Sequence, residues 1–267
     1  MKKIGFIGAG NMGGAIISGI IASKICAPEN IYVFDTNKKA LEKLDSKIST
    51  AHTLEDVCGC DIVFLAVKPN VIYGVIDKIK GLIVKNTVIV SIAAGQSIKK
   101  LTAAFEYDNI KLVRVMPNTP ALVGEAMSAV ALNGEMSKDE NKEAAQFILS
   151  IFESFGKAEI VDEKLMDVVT GVSGSSPAYI FMLIEAMADA AVLGGMARDK
   201  AYIFAAQSVL GSAKMVLECG KHPAELKDMV CSPGGTTIEA VKVLEDKGFK
   251  SAVIDAIDAC VKKSQLL

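Results

Sequence analysis

The stretch KKIGFIGAGNMGGAI, residues 2–16, constrains the fold more than any other segment of the chain. A short apolar run, Lys3–Ile7, gives way to glycines at Gly8, Gly10 and Gly13, and an apolar helical pattern follows over Met12–Ser23. Gly8 permits a tight turn, Gly10 lets an anionic group come up against the backbone, and Gly13 lets helix and strand pack closely. The unpaired N–H groups and the dipole at the helix start favour a phosphate there. Asp35 ends the next strand candidate about 20 residues further on, and in that strand–turn–helix context the glycine spacing reads as a dinucleotide site. Lys2-Lys3 ahead of Ile4–Ala22 also suggests a signal peptide or a membrane span, but six glycines and Asn11 make that stretch a poor helix. No targeting segment is read here, and the cytoplasm is the expected compartment.

The remainder sorts into two parts. Residues 1–160 alternate strand candidates (Lys3–Ile7, Ile31–Phe34, Asp61–Ala66, Thr87–Ser91, Lys111–Met116, and more weakly Ala126–Leu132 and Ala158–Val161) with helical stretches. The latter are Met12–Ser23, Lys38–Leu44, Val71–Ile79, Ile98–Phe105 and Lys138–Phe155. This alternation predicts crossover units on a doubly wound, mostly parallel sheet covered on both faces: an α/β domain of Rossmann type. Over residues 161–267 the strand signal disappears, and helices are expected at Pro177–Gly194, Asp199–Glu218, Pro223–Met229, Thr237–Asp246 and Ser251–Lys263. Only Glu185 and Asp189 are charged in Pro177–Gly194, and these two read as a solvated stripe rather than a catalytic pair. A helix so apolar predicts an all-α domain buried by at least a second copy of the chain.

Charge and cysteines exclude other classes. A net charge of −2 with scattered lysines offers no footprint for nucleic acid. Cys26, Cys58, Cys60, Cys219, Cys231 and Cys260 show no CxxC spacing, and only His52 and His222 could assist a metal, so reduced thiols and no metal are expected.

Three further segments, AVKPN (Ala66–Asn70), SIAAGQS (Ser91–Ser97) and RVMPNTPA (Arg114–Ala121), each begin at the carboxyl end of a predicted strand. Ligands of open parallel sheets bind just beyond those ends, so small residues and prolines there predict a crevice lined by backbone amides. Asp35 is the expected acceptor for the adenosine ribose hydroxyls, and its charge favours NADH. Lys38 and Lys39 follow closely and keep NADPH open.

Taken in order, GFIGAGNMGGAI, AVKP, SIAAG and RVMPNTP, then TGVSGSSPAYIF (Thr170–Phe181) and SPGGTT (Ser232–Thr237), resemble the signatures of pyrroline-5-carboxylate reductases over essentially the whole chain. The resemblance implies reduction of a cyclic imino acid, 1-pyrroline-5-carboxylate, to L-proline by NADPH or NADH, the last step of proline biosynthesis. It also implies a Rossmann domain joined to a helical domain that interlocks in a dimer, with dimers assembled into rings such as decamers. Carried over by position, Gly8, Ala9, Gly10, Asn11, Met12, Gly13, Ala66, Val67, Lys68, Pro69, Ala93, Ala94 and Gly95 would touch the cofactor. Glu163, Ser232, Gly235, Thr236 and Thr237 match positions near the substrate. Ser176 stands where the family more often has glycine, and Met229 replaces a polar residue found in some members, which bears on the pocket rim.

The residues themselves allow such chemistry. No His, Lys or Cys is placed as the general base that a carbonyl or alcohol substrate would need. A protonated cyclic imine already carries positive charge at the reacting C=N, and holding it in place is most of the task. In SPGGTTIEA, Gly234-Gly235 lets amides of the Gly-Gly-Thr segment face a substrate carboxylate at a helix start. Thr236, with Glu239 three residues later, fits a capping box with Thr236 as N-cap. Thr237, the catalytic candidate, then keeps its hydroxyl for the ring nitrogen. This arrangement needs the helical segment to meet the Rossmann crevice, with the partner subunit supplying it. Three alternatives remain at this point. A 3-hydroxyacid dehydrogenase would show G-x-x-G-x-G-x-x-x-K; Gly171 and Gly174 fit, but Ser176 replaces the third glycine and Ile180 the lysine. A non-catalytic dinucleotide-binding module would need an output surface, which is not legible. A methyltransferase finds no support in the crevice loops.

Overall fold

The computed structural model describes residues 2–107 and 109–266. They form two compact units, Met1–Ser175 with Cys260–Leu267, and Ser176–Ala259.

The first unit is built on one sheet. Its strands are β1 (Ile4–Ile7), β2 (Ile31–Phe34), β3 (Ser49–Thr50), β4 (Ile62–Leu65), β5 (Val88–Ser91), β6 (Lys111–Met116), β7 (Ala126–Leu132) and β8 (Gly156–Ile160). Their order is β3-β2-β1-β4-β5-β6-β7-β8, and every pairing is parallel except β6 with β7. Strands β1, β4 and β5 are apolar and buried at nearly every position because helices cover both faces. On one face α1 (Asn11–Ala22) and α6 (Lys142–Glu153) enclose a core containing Phe6, Ile16, Ile20, Phe64 and Phe152, with Phe6 and Phe64 stacked at 4.5 Å. On the other, α3 (Leu54–Cys58), α4 (Ile72–Ile79) and α5 (Ile98–Phe105) pack Val57, Ile76 and Leu101 against Val63, Leu65 and Ile89. α2 (Lys38–Leu41) follows β2.

The register of the sheet decides where a ligand can go. Ile7 lies opposite Phe34 and Leu65, Leu65 opposite Ser91, and Ser91 opposite Arg114. Four parallel strands therefore finish level with β1 or with one another, and the loops leaving them emerge side by side. The strand order changes direction between β1 and β4, the switch point at which a doubly wound sheet opens a crevice.

The mostly parallel α/β architecture agrees with the sequence reading, with local differences. β3 and α3 were not expected; α3 is held by a reciprocal capping box between Thr53 and Asp56. Helix α2 stops at Leu41, short of the expected Leu44. Cys58 and Cys60 are buried, and desolvation pushes their thiols up to about 12 and about 11, so neither is a thiolate at neutral pH.

After β8 the first unit continues through α7 (Met166–Val169) and a π-helical turn, Thr170–Gly174. The second unit consists of helices: α8 (Ser176–Leu193), α9 (Arg198–Cys219), α10 (Pro223–Val230), α11 (Thr236–Asp246) and α12 (Phe249–Ser264), the last of which ends in the first unit. Ala188, Ala201 and Ala205 let α8 and α9 pack tightly. Asp189 forms an ion pair with Arg198, and Glu185 is exposed, as expected for a solvated stripe. The outer faces of the two helices are apolar: Phe181, Met182, Ile203 and Phe204 are each more than 60% exposed in the single chain. Apolar side chains in such number mark an interaction surface.

Candidate active site

The cofactor half of the site starts at the turn between β1 and α1. Gly8 has φ +107°, and a Cβ there would lie 2.4 Å from the Ala66 carbonyl oxygen. A Cβ on Gly13 would lie 2.5 Å from the Gly8 carbonyl oxygen, so the start of α1 is drawn tightly onto the ends of β1 and β4. Gly10 differs. Its backbone suits any residue (φ −65°, ψ −171°), and nothing lies within 4 Å of where its Cβ would be. The fold does not require glycine at this position, where a side chain would stand in open space. Gly10 is also the N-cap of α1 and has no side chain to accept from the first-turn amides of Asn11, Met12 and Gly13. An open cradle over uncapped amides fits the diphosphate of a dinucleotide.

Asp35, at the end of β2, holds this turn from the side. Its Oδ2 accepts the Ala9 N–H at 2.7 Å and its Oδ1 the Asn37 N–H at 2.7 Å, while Asn37 Oδ1 accepts the Lys39 N–H at 3.1 Å. The carboxylate thus shapes the glycine loop in addition to the ribose role expected of it. A hollow of about 530 Å³ opens beside Gly10 and Asn11, and Asn37, Lys39 and Lys43 line it. Of the two lysines singled out in the sequence, Lys39 faces this hollow and Lys38 does not line it.

The loop after β4, with Ala66, Val67, Lys68 and Pro69, adjoins the glycine turn, and the loop after β5, with Ala93, Ala94 and Gly95, leaves the strand beside β4. Side-chain contacts that the motifs alone did not reveal hold the loop after β5 and the segment after β6. Tyr73 Oη donates to Gln96 Oε1 at 2.6 Å, and Gln96 is buried. Asn118 accepts the Met127 N–H at 2.9 Å and donates to the Ser173 carbonyl at 3.0 Å. Glu163 Oε1 accepts both the Ile98 N–H at 2.6 Å and Arg114 Nη1 at 3.1 Å. A buried arginine inside an apolar strand signals that a carboxylate must lie near it, but the chain itself does not say which one.

The substrate candidates divide between the units. Glu163 belongs to the first, whereas Ser232, Gly235, Thr236 and Thr237 share one turn of the second. Gly234 takes φ +67°, and the Gly235 N–H donates to the Ser232 carbonyl at 3.0 Å. This turn carries Gly235 into the N-cap conformation (φ −83°, ψ 171°) and corrects the expected capping box. Thr236 is the first helical residue rather than the cap, and Glu239 stands one position too late to bond back. Thr237 is half-buried in the first turn of α11. The contrast with the neighbouring helices is informative: Thr53, Ser97 and His222 cap α3, α5 and α10 with their side chains. Both α1 and α11 begin at glycine and leave their first amides without a cap.

A doubly wound sheet with a glycine turn at its switch point defines a dinucleotide-binding oxidoreductase fold. A family model described as pyrroline-5-carboxylate reductase dimerisation matches residues 163–267, and one described as NADP oxidoreductase, coenzyme F420-dependent, matches residues 3–95. The pyrroline-5-carboxylate reductase of Escherichia coli K12 is 51% identical over 100% of this chain and 98% of its own length. Among solved structures, the Coxiella burnetii pyrroline-5-carboxylate reductase superposes with TM-score 0.90 at 32% identity, covering 99% of this chain and 97% of that one. The Plasmodium falciparum enzyme, with NADP bound, gives 0.87 at 33% identity with the same coverage. The chain belongs to the pyrroline-5-carboxylate reductase family. Among the described residues one helical stretch, Glu163–Leu193, is long and apolar enough to cross a membrane, and it lies within the matched dimerisation region.

Two predictions follow from the glycine turn. Gly10→Val should fold with a Tm within about 2 °C of the parent, because its Cβ meets no protein atom. Its NAD(P)H affinity should fall roughly 100-fold or more, as displaced phosphate contacts of about 1.5–3 kcal/mol each imply. Retained affinity in folded Gly10→Val would place the diphosphate elsewhere. Asp35→Ser should weaken NADH and NADPH together, by about tenfold or more for the lost loop contacts, with the larger loss for NADH. Fluorescence titration with each cofactor reads this out, and unchanged constants for both would remove Asp35 from the site.

Proposed function

We infer that the chain reduces 1-pyrroline-5-carboxylate to L-proline by hydride transfer from NAD(P)H, the closing step of proline biosynthesis. Whole-chain identity to a reductase of this name carries the reading, and the two glycine-started helices give each part of it a physical basis. Bound NAD(P)H supplies the hydride that reduces the imine carbon. Gly8, Ala9, Gly10, Asn11, Met12 and Gly13 hold its diphosphate on the first-turn amides of α1, with Asp35 keeping the loop in shape. Ala66, Val67, Lys68, Pro69, Ala93, Ala94 and Gly95 offer it backbone rather than bulky side chains. Lys39, on the hollow beside Gly10, favours a 2′-phosphate and so supports NADPH alongside NADH.

The substrate carboxylate is assigned to the first-turn amides of Thr236 and Thr237, with the dipole of α11 behind them, while the Gly235 N–H is engaged by the Ser232 carbonyl and fixes the turn. Ser232 shapes the turn from its other end. Thr237 Oγ1 accepts from the N–H of the protonated imine and orients the ring, so the catalytic role of Thr237 is to hold a proton already present. The neutral amine formed takes its second proton from solvent. This division of labour needs no general base, in keeping with buried Cys58 and Cys60 and a solvent-exposed His222.

A homodimer is the smallest assembly we propose, with a second copy covering the apolar faces of α8 and α9. The same partner, rather than a bilayer, accounts for the apolarity of Glu163–Leu193. Rings of dimers such as decamers and operation in the cytoplasm complete the proposal. They rest on the family resemblance and on six free cysteines.

Thr237→Ala should lower kcat/KM by roughly tenfold to a hundredfold, the loss of one charge-assisted hydrogen bond of about 1.5–3 kcal/mol. Because Gly235 rather than a threonine caps α11, thermal stability and NAD(P)H affinity should hardly change. Intact turnover with a stability loss of about 1 kcal/mol would make Thr237 a helix-end residue and move the substrate elsewhere.

A further inference from the structure

The ion pair between Glu163 and Arg114 closes a ring around the loop after β5. Arg114 lies directly opposite Ser91, the residue at which that loop begins. Glu163 Oε1 bonds both to this arginine and to the N–H of Ile98, the residue at which the loop ends and α5 starts. The path Ser91–Arg114–Glu163–Ile98 thus spans the loop from end to end. Inside it, the Ala93 N–H is held by Ser91 Oγ at 3.4 Å, whereas Ala93, Ala94 and Gly95 offer no polar side-chain group to fix the backbone, and Gly95 sits at φ +72°. A loop of such residues has wide conformational freedom unless its ends are held. Gln96 adds a third anchor through Tyr73. The arginine side chain is 8% exposed and the glutamate 31%, so the arginine is largely shielded from solvent and takes its partner from the Glu163 oxygen.

We propose that Glu163 is a positioning residue for the cofactor loop and not a ligand of the substrate. By stapling the start of α5 to the end of β6, it holds Ala93, Ala94 and Gly95 in the conformation that receives the dinucleotide. The proposal rests on the reading that this loop faces NAD(P)H. It differs from the resemblance, which matches Glu163 to a position near the imino acid. Both hydrogen bonds run to one oxygen, so Glu163→Gln can keep the geometry and lose only the charge. Glu163→Ala loses both bonds, and Glu163→Asp keeps the charge but draws it back by one methylene.

The test uses the full chain and measures NADPH affinity by nicotinamide fluorescence without substrate, then the KM for 1-pyrroline-5-carboxylate at saturating NADPH. Glu163→Ala and Glu163→Asp should weaken NADPH binding about tenfold and leave the substrate KM within about twofold, with Glu163→Gln close to the parent. If Glu163→Ala does not fold, Glu163→Asp carries the test alone. An unchanged NADPH affinity in folded Glu163→Asp, or a raised substrate KM with normal NADPH binding, overturns the proposal. Because the binding arm needs no turnover, a parent protein that binds NADPH but does not reduce the imine would count against the proposed reaction and not against the staple.

Discussion

The tight contact between the first glycine turn and the end of β4 governs the rest of the first unit. With Gly8 and Gly13 packed to where a Cβ would overlap the carbonyls of Ala66 and Gly8, α1 can begin only at the level of the strand ends. The parallel register brings the chain ends of β2, β4, β5 and Arg114 of β6 to the same level. Uncapped amides, small-residue loops and the switch point in strand order then coincide. None of these features would create a dinucleotide site alone, since each has an ordinary structural cause. Their coincidence follows from a packing distance that only glycine permits.

The second unit solves a related problem with the same device. A helix needs a partner for its first amides, and α2, α3, α5 and α10 take a side chain for that purpose. α11 instead starts at Gly235, after a turn closed by the left-handed Gly234. The costly interruption of a helical region by SPGGTT is explained if the partner of those amides is a ligand. The apolar faces of α8 and α9 make a parallel statement about assembly. Phe181 and Phe204 are exposed in the single chain, and they lie within the region that matches the dimerisation model.

How much of this was legible in the sequence depended on the range of the interaction. The apolar strands and the glycine turn are local patterns, and they locate the sheet, its ligand edge and the helical second part. β3 has two residues, too few to show a period, and α3 has five. The capping box at Thr236 was misplaced because its spacing rule does not register that Gly234 closes the preceding turn. Glu163 and Arg114 are 49 residues apart, and no periodicity connects them. The place of Asp35 after a strand is a local pattern, but its bond to Ala9 depends on how a turn folds back upon a neighbouring strand.

In the proposed reaction the hydride passes directly from the cofactor to an imine carbon that residues such as Thr237 only hold in place. Reduction of 1-pyrroline-5-carboxylate, in ordinary water, with NADPH carrying deuterium at both nicotinamide C4 positions distinguishes direct transfer from exchange with solvent. One deuterium is expected in the proline product, at the ring methylene next to nitrogen. Unlabelled proline, or label at the carbon bearing the carboxylate, would contradict it.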